Sequence, residues 1–216
     1  MIDGLVTAIK TDATATISLD NAGTINGIID LNAVDGKDTI VNNGKINGDV
    51  FLGSGDDTFN GAGGTSGKVF GEDGDDTITG GFADDVLDGG AGNDIIAGGL
   101  GSDELWGGAD RDLFDFNSIK DSVKGAKHDV INDFERGSNV TGDAIDLRDI
   151  DAKSGVKGNQ AFKFIGKQGF HHVKGELHIK HLGASCLVQG DVNGNGKADF
   201  EILVKVGALG AGDFLL

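Results

Sequence analysis

The sequence predicts an all-β fold, a right-handed parallel β-roll (a β-solenoid) closed by a C-terminal β-rich cap, and three observations carry that prediction. A nine-residue unit repeats five times without a gap from Gly71 onward. Each unit places an aspartate at its sixth position and an apolar side chain at its eighth. No long amphipathic helix is legible, and the 216 residues include 39 glycines and no proline, a composition suited to tight glycine turns between short strands.

The five units read GEDGDDTIT, GGFADDVLD, GGAGNDIIA, GGLGSDELW and GGADRDLFD. Their sixth positions are Asp76, Asp85, Asp94, Asp103 and Asp112, and their eighth are Ile78, Leu87, Ile96, Leu105 and Phe114. An earlier unit, LGSGDDTFN, adds Asp57 and Phe59, and a weaker one, AVDGKDTIV, adds Asp38 and Ile40. Glycines at the first, second and fourth places allow positive φ and expose turn carbonyls; Gly53, Gly55, Gly74, Gly81, Gly90, Gly92, Gly99, Gly101 and Gly108 stand at such places. The three residues after each aspartate form a short strand whose middle side chain points inward. Turn, strand, turn, strand makes a coil of 18 residues, which stacks Asp57, Asp76, Asp94 and Asp112 on one edge and Asp85 and Asp103 on the other.

Such a coil has a thin core, with each buried apolar side chain worth about 1.5–3 kcal/mol. Backbone ordering costs about 1–2 kcal/mol for every residue, and stacked carboxylates repel one another. A hard dication between successive turns removes the repulsion and takes turn carbonyls as further ligands. Ca²⁺, with six to eight oxygen donors, suits this better than strictly octahedral Mg²⁺. The expected cofactor is therefore several Ca²⁺ ions. The formal charge of −17 agrees, because residues 1–118 hold 22 acids against five bases while residues 119–216 balance. Nucleic acid is excluded as a partner of so acidic a half.

The pattern resembles the RTX (repeats-in-toxin) nonapeptide family, whose members bind Ca²⁺ in a β-roll. Glu72 at a second position and Ala83 and Asp110 at fourth positions depart from it, so distortion is expected there, although each unit keeps its aspartate. Upstream, NAGTINGIIDL, NNGKINGDVFL and GGTSGKVFG are read as degenerate coils of the same solenoid, with Asn26, Asn47 and Ser66 replacing aspartate on one edge. Asparagines there can stack without metal. Residues 1–20 read as a first coil or a capping strand. The domain reading is 1–70 for the degenerate coils, 71–118 for the regular roll and 119–216 for the cap.

The cap segments DLFDFNSIKDS, DVINDFERG, DAIDLRDIDA, NQAFKFIG, LVQGDVNGNGKADFEI and the terminal DFLL resemble the C-terminal domain of the serralysin-type (M10) metalloproteases. That resemblance implies a secreted, extracellular protein exported by a type I exporter, with the last residues acting as export signal rather than as core. It implies no catalysis, because HExxH is absent, as are a GxSxG elbow and a phosphate loop. The lone Cys186 permits no internal disulfide. No basic-then-apolar leader and no membrane-length apolar run are read.

Two further segments carry possible chemistry. In DVNGNGKADFE, Asp191, Asn193, Asn195 and Asp199 fall at the first, third, fifth and ninth places of an EF-hand-like Ca²⁺ loop. Ile202 occupies the twelfth place, however, so a plain glycine-rich hairpin is the alternative. Residues 157–181 carry five lysines and four histidines against Glu176 alone, a basic patch read either as a solvated face or as a surface for an anionic polysaccharide.

Overall fold

A computed structural model of the chain describes residues 16–32, 35–137 and 142–216, together with the backbone of residues 2–3 and 6–7. It is an all-β parallel solenoid. One face is an eight-stranded sheet running Phe214–Leu215, Ala144–Asp146, Leu113–Asp115, Ile95–Ala97, Thr77–Thr79, Thr58–Asn60, Thr39–Asn42, Ser18–Asn21. The other is eleven-stranded, and its central run is Phe200–Val204, Asp129–Ile131, Glu104–Ala109, Val86–Ala91, Val69–Asp73, Val50–Ser54, Ile29–Asp30. Among the described residues the only helical turn is the 3₁₀ segment Ala211–Asp213, and no helix is long and apolar enough to cross a membrane.

The eighth-position side chains stack in two columns between the sheets. Phe59, Ile78, Ile96 and Phe114 are in register on the smaller sheet, and Val69, Leu87 and Leu105 on the larger. All of these are essentially inaccessible to solvent. The two faces differ in strand length. The smaller sheet has the expected three-residue strands, whereas on the larger sheet Val86–Ala91 and Glu104–Ala109 run on through the first three residues of the following unit.

Coil length changes along the axis. In the first coils Leu19 pairs with Ile40, Ile25 with Ile46 and Ile29 with Val50, a spacing of 21 residues. These longer coils have three sides, the third being a small sheet of Ile2–Asp3, Thr24–Asn26 and Lys45–Ile46. The spacing then falls to 19 (Ile40 to Phe59) and to 18 (Ile78 to Ile96) as the third side is lost. Of residues 1–15, Ile2–Asp3 and Val6–Thr7 belong to the first coil; the rest of that stretch lies outside the described residues.

Sheet pairing does not stop at residue 118. Asp129–Ile131 and Ala144–Asp146 add one rung to each face, and Phe200–Val204 and Phe214–Leu215 add a second, all parallel. Among the described residues, a single antiparallel bridge links Val123 to Phe200, and antiparallel strand pairing joins Glu176–His181, Cys186–Asp191 and Phe200–Val204 into a meander. Its core is ordinary: Phe162, Leu177, Ile179, Val188 and Ile202 are buried, and the Phe162 ring meets Phe200 edge-on at 5.7 Å.

The expectation that the last four residues lie outside the core is corrected. Phe214 is 6% exposed, packs against Phe164 and pairs with Ile145, while the Leu147 N–H donates to the Leu215 carbonyl. Asp213 is buried and accepts the Gly210 N–H and the Arg136 guanidinium at 3.1 Å. An acid followed by three apolar residues is also what a terminal core strand with a buried ion pair needs.

Candidate metal centre

The aspartates predicted to share an edge do so, and each is tied to the next. Wherever an aspartate stands one coil earlier on the same edge, its backbone N–H donates to the Oδ1 atom of the next. On the first edge Asp57 accepts from Asp38 (2.6 Å), Asp76 from Asp57 (2.7 Å), Asp94 from Asp76 (2.7 Å) and Asp112 from Asp94 (2.9 Å). On the second edge Asp103 accepts from Asp85 at 2.8 Å.

Both ladders continue into the cap through residues that the sequence reading did not select. Asp143 accepts the Asp112 N–H and Asp129 accepts the Asp103 N–H, each at 3.0 Å. The second ladder then closes on Ser122, whose hydroxyl accepts the Asp129 N–H at 2.7 Å. A signal existed: Asp129-Val130-Ile131 and Asp143-Ala144-Ile145 keep the spacing of an aspartate two places before an inward apolar residue. Separations of 26 and 31 residues from Asp103 and Asp112, where a regular coil has 18, hide it from a nine-residue period.

The second carboxylate oxygen is what makes these edges candidate cation sites. Oδ2 of Asp38, Asp57, Asp76, Asp94, Asp103, Asp112 and Asp129 is buried without a hydrogen-bond partner. A buried carboxylate oxygen left unpaired is costly, and seven in two files call for a shared counter-charge. Burial pushes the carboxyls of Asp76, Asp112 and Asp129 up to about 8 and that of Asp103 to about 7. It pushes Asp57, Asp94 and Asp143 to about 6. Backbone N–H groups oppose the shift at each site, while neighbouring carboxylates add to it at most of them. A cation would reverse it.

Space around Oδ2 is kept by glycine. A Cβ at Gly107 would lie 2.3 Å from Oδ2 of Asp112, so the first-position glycine forms one wall of the site. At the fourth position Gly92 holds φ +132, and a Cβ there would lie 2.2 Å from the Gly74 carbonyl oxygen of the coil before, which places turn carbonyls in file beside the carboxylates. Gly53, Gly55, Gly74, Gly90, Gly99, Gly101 and Gly108 share the positive φ. Glu72 (φ +78) and Asp110 (φ +79) adopt it too, so those two departures leave the turn intact.

Ala83 does not. It and Gly81 stay outside the positive-φ set, and the Gly81 N–H donates to Oδ2 of Asp85 at 2.7 Å. Asp85 is therefore the one sixth-position aspartate of the five units whose Oδ2 has a hydrogen-bond partner. Among the described residues no three Asp, Glu, His or Cys side chains converge on a point. A cation held here would draw on aspartates of successive coils and, for most of its oxygens, on the backbone, a donor set that fits Ca²⁺.

The 191–199 loop is satisfied internally. Asp191 accepts the N–H groups of Gly194 (2.6 Å), Asn195 and Gly196, and Asp199 accepts those of Val192 and Asn193. Asn193 and Asn195 each accept a backbone N–H two residues on. Glu201 faces away, accepting Gln189 Nε2 and the Gly125 N–H. These side-chain oxygens take up the loop's own backbone N–H groups, an arrangement that a glycine-rich hairpin and a metal loop share.

Comparison with known proteins agrees on the repeats. Residues 50–66, 70–105 and 91–118 match the model of the RTX calcium-binding nonapeptide repeat (four copies). No curated protein matches the chain. Among solved structures it is similar to the AlgE6R2 subunit of the Azotobacter vinelandii mannuronan C5-epimerase, at 22% identity and TM-score 0.46, covering 79% of this chain and 92% of that one. The AlgE6R3 subunit of the same enzyme aligns at 17% identity and TM-score 0.35, covering 100% and 86%. The chain thus carries RTX calcium-binding repeats on a β-roll.

Proposed function

We propose that this chain is a secreted Ca²⁺-binding module whose acidic coils fold when they meet extracellular Ca²⁺, and that these coils stay unfolded until a type I exporter has passed them out of the cell. The observation carrying the reading is the double file of buried, unpartnered Asp Oδ2 atoms. Unfolded, these carboxylates are hydrated; folded without a cation, they are neither hydrated nor paired. Ca²⁺ binding then becomes folding free energy. Between coils, Asp38, Asp57, Asp76, Asp94 and Asp112 would hold ions on one edge and Asp103 and Asp129 on the other, with turn carbonyls completing the shell. Extracellular modules bind Ca²⁺ at about 10⁻⁴–10⁻³ M, above the level inside cells. The serralysin-like wording of the cap supports the export half of the reading, which assigns no catalysis to these residues.

The test follows β-structure by circular dichroism as Ca²⁺ is added to chelator-treated protein. A cooperative transition near millimolar Ca²⁺ is expected, with Mg²⁺ far less effective; a full β-signal in chelator at neutral pH contradicts the reading.

A second use is favoured by one observation: Lys157, Lys163, Lys167, Lys174 and Lys180 are all exposed on an otherwise acidic protein. That patch suits an anionic polysaccharide. Salt-sensitive retention on an alginate or heparin matrix, lost when the five lysines become glutamine, is the expected result.

A further inference from the structure

One corner of the first coils is closed without any carboxylate. Asn21 and Asn42 follow the first strands of the smaller sheet and are buried, Asn42 completely. Asn21 Nδ2 donates to Asn42 Oδ1 at 2.7 Å and to the Lys45 carbonyl at 3.4 Å, and Asn42 Nδ2 donates to the Thr65 carbonyl at 3.0 Å. The two amide oxygens also accept the N–H groups of Gly23 (3.1 Å) and Gly44 (3.3 Å). Unlike the aspartate files, this ladder leaves no donor or acceptor orphaned. At the next corner Asn47 Nδ2 donates to Asn26 Oδ1 at 2.5 Å.

The same coils have more core and less charge. The second coil buries Ile40, Ile46, Val50 and Leu52, where a regular coil buries only a pair such as Ile78 and Leu87. Residues 16–54 hold five acids and two lysines, and residues 71–112 hold twelve acids and one arginine. Burial therefore favours the first coils where repulsion opposes the later ones.

We propose that Asn21, Asn42 and Thr65 form a metal-independent seam that keeps the coils of residues 16–54 folded when Ca²⁺ is withdrawn, so that the acidic coils assemble onto a finished rung of fixed register. The proposal rests on the Ca²⁺ dependence of the acidic coils put forward above. Once a first rung exists, each added coil needs only its own cations and closes against preformed backbone, which removes the nucleation step from the far end of the roll.

Hydrogen exchange on the full chain, in chelator at pH 7.5 and then in saturating Ca²⁺, tests it. The reporters for the seam are the amides of Asn43, Lys45 and Asn47, which donate to Asn21, Gly23 and Ile25. Those for the acidic coils are Thr77, Ile95 and Leu113, which donate to Asp57, Asp76 and Asp94. In chelator the first set should exchange at least about tenfold more slowly than free peptide and the second at the free rate. Asn42→Asp, which sets a carboxylate oxygen against the Thr65 carbonyl, should abolish protection of the first set in chelator and leave the second protected in Ca²⁺. Asn21→Ala gives the same readout from the outer rung if Asn42→Asp does not fold. Loss of both sets together in wild-type chelator overturns the seam; protection of both overturns the Ca²⁺ reading instead.

Discussion

The two edges of the roll are written in the same nonapeptide, yet they differ in what they leave open for a cation. The first edge strings six aspartates from Asp38 to Asp143, and all but Asp143 keep a buried, unpartnered Oδ2. The second begins with Asp85, whose Oδ2 is taken by the Gly81 N–H, so only Asp103 and Asp129 remain open. Across the units beginning at Leu52, Gly71, Gly80, Gly89, Gly98 and Gly107, an open Oδ2 goes with positive φ at the fourth position, held by Gly55, Gly74, Gly92, Gly101 and Asp110 and missing at Ala83. Where positive φ is missing at both Gly81 and Ala83, the turn spends the Gly81 N–H on its own aspartate instead of leaving the carboxylate free for metal. The aspartate alone does not make the site.

That comparison can be broken most forcefully in the middle of the first edge. Asp94→Ala removes a carboxylate shared by the coils on both sides and should raise the Ca²⁺ midpoint of folding by roughly tenfold or more, each tenfold being about 1.4 kcal/mol of binding. Asp38→Ala, in a coil supported by asparagines on another corner, should raise it far less; equal midpoints contradict shared ligation. The second edge gives a sharper contrast. Asp103→Asn should weaken Ca²⁺-driven folding several-fold, and Asp85→Asn, whose oxygen already has a partner, only slightly. Trp106, one rung from Asp88 on the outer face, reports both by fluorescence.

Protons and Ca²⁺ compete for the same oxygens. In chelator, carboxyls whose folded values stand near 6 to 8 against an ordinary 3.8 contribute stability that is whole below pH about 4 and lost as the pH rises towards 8. Metal-free protein should therefore gain β-signal on acidification, while with Ca²⁺ present the midpoint should rise as the pH falls below about 8. A metal-free signal independent of pH over that window counts against the buried carboxylates. The smallest effect expected is a gain: Ala83→Gly, by allowing positive φ, should free Asp85 and lower the Ca²⁺ midpoint by about twofold or add one ion at saturation.

Much of this was legible in the sequence where the physics is local. Asp76, Asp94, Asp103 and Asp112 and their inward partners Ile78, Ile96, Leu105 and Phe114 declare themselves because turn, ligand and core share one nine-residue frame. Asp129 and Asp143 were not read, since their rungs close over long insertions and only the aspartate-to-apolar spacing survives. The three-sided first coils were also missed. Asn21 and Asn42, Ile25 and Ile46 repeat at 21 residues, but the 19-residue spacing of Asp38 and Asp57 drew the reading. At Asp191–Asp199 residue types match a metal loop, while the direction of the backbone N–H groups, which bond to the loop's own side chains, is not legible in sequence. Phe214 was misplaced because wording shared with exported proteins says nothing of what that strand packs against.

The central claim is that cations sit between successive aspartates, and counting them tests it most directly. The open pairs are Asp38/Asp57, Asp57/Asp76, Asp76/Asp94, Asp94/Asp112 and Asp103/Asp129. Equilibrium dialysis into millimolar Ca²⁺, with metal determined per folded chain, should give at least four ions, bound in step with the β-signal. Two ions or fewer, or a folded roll with none, would contradict the account.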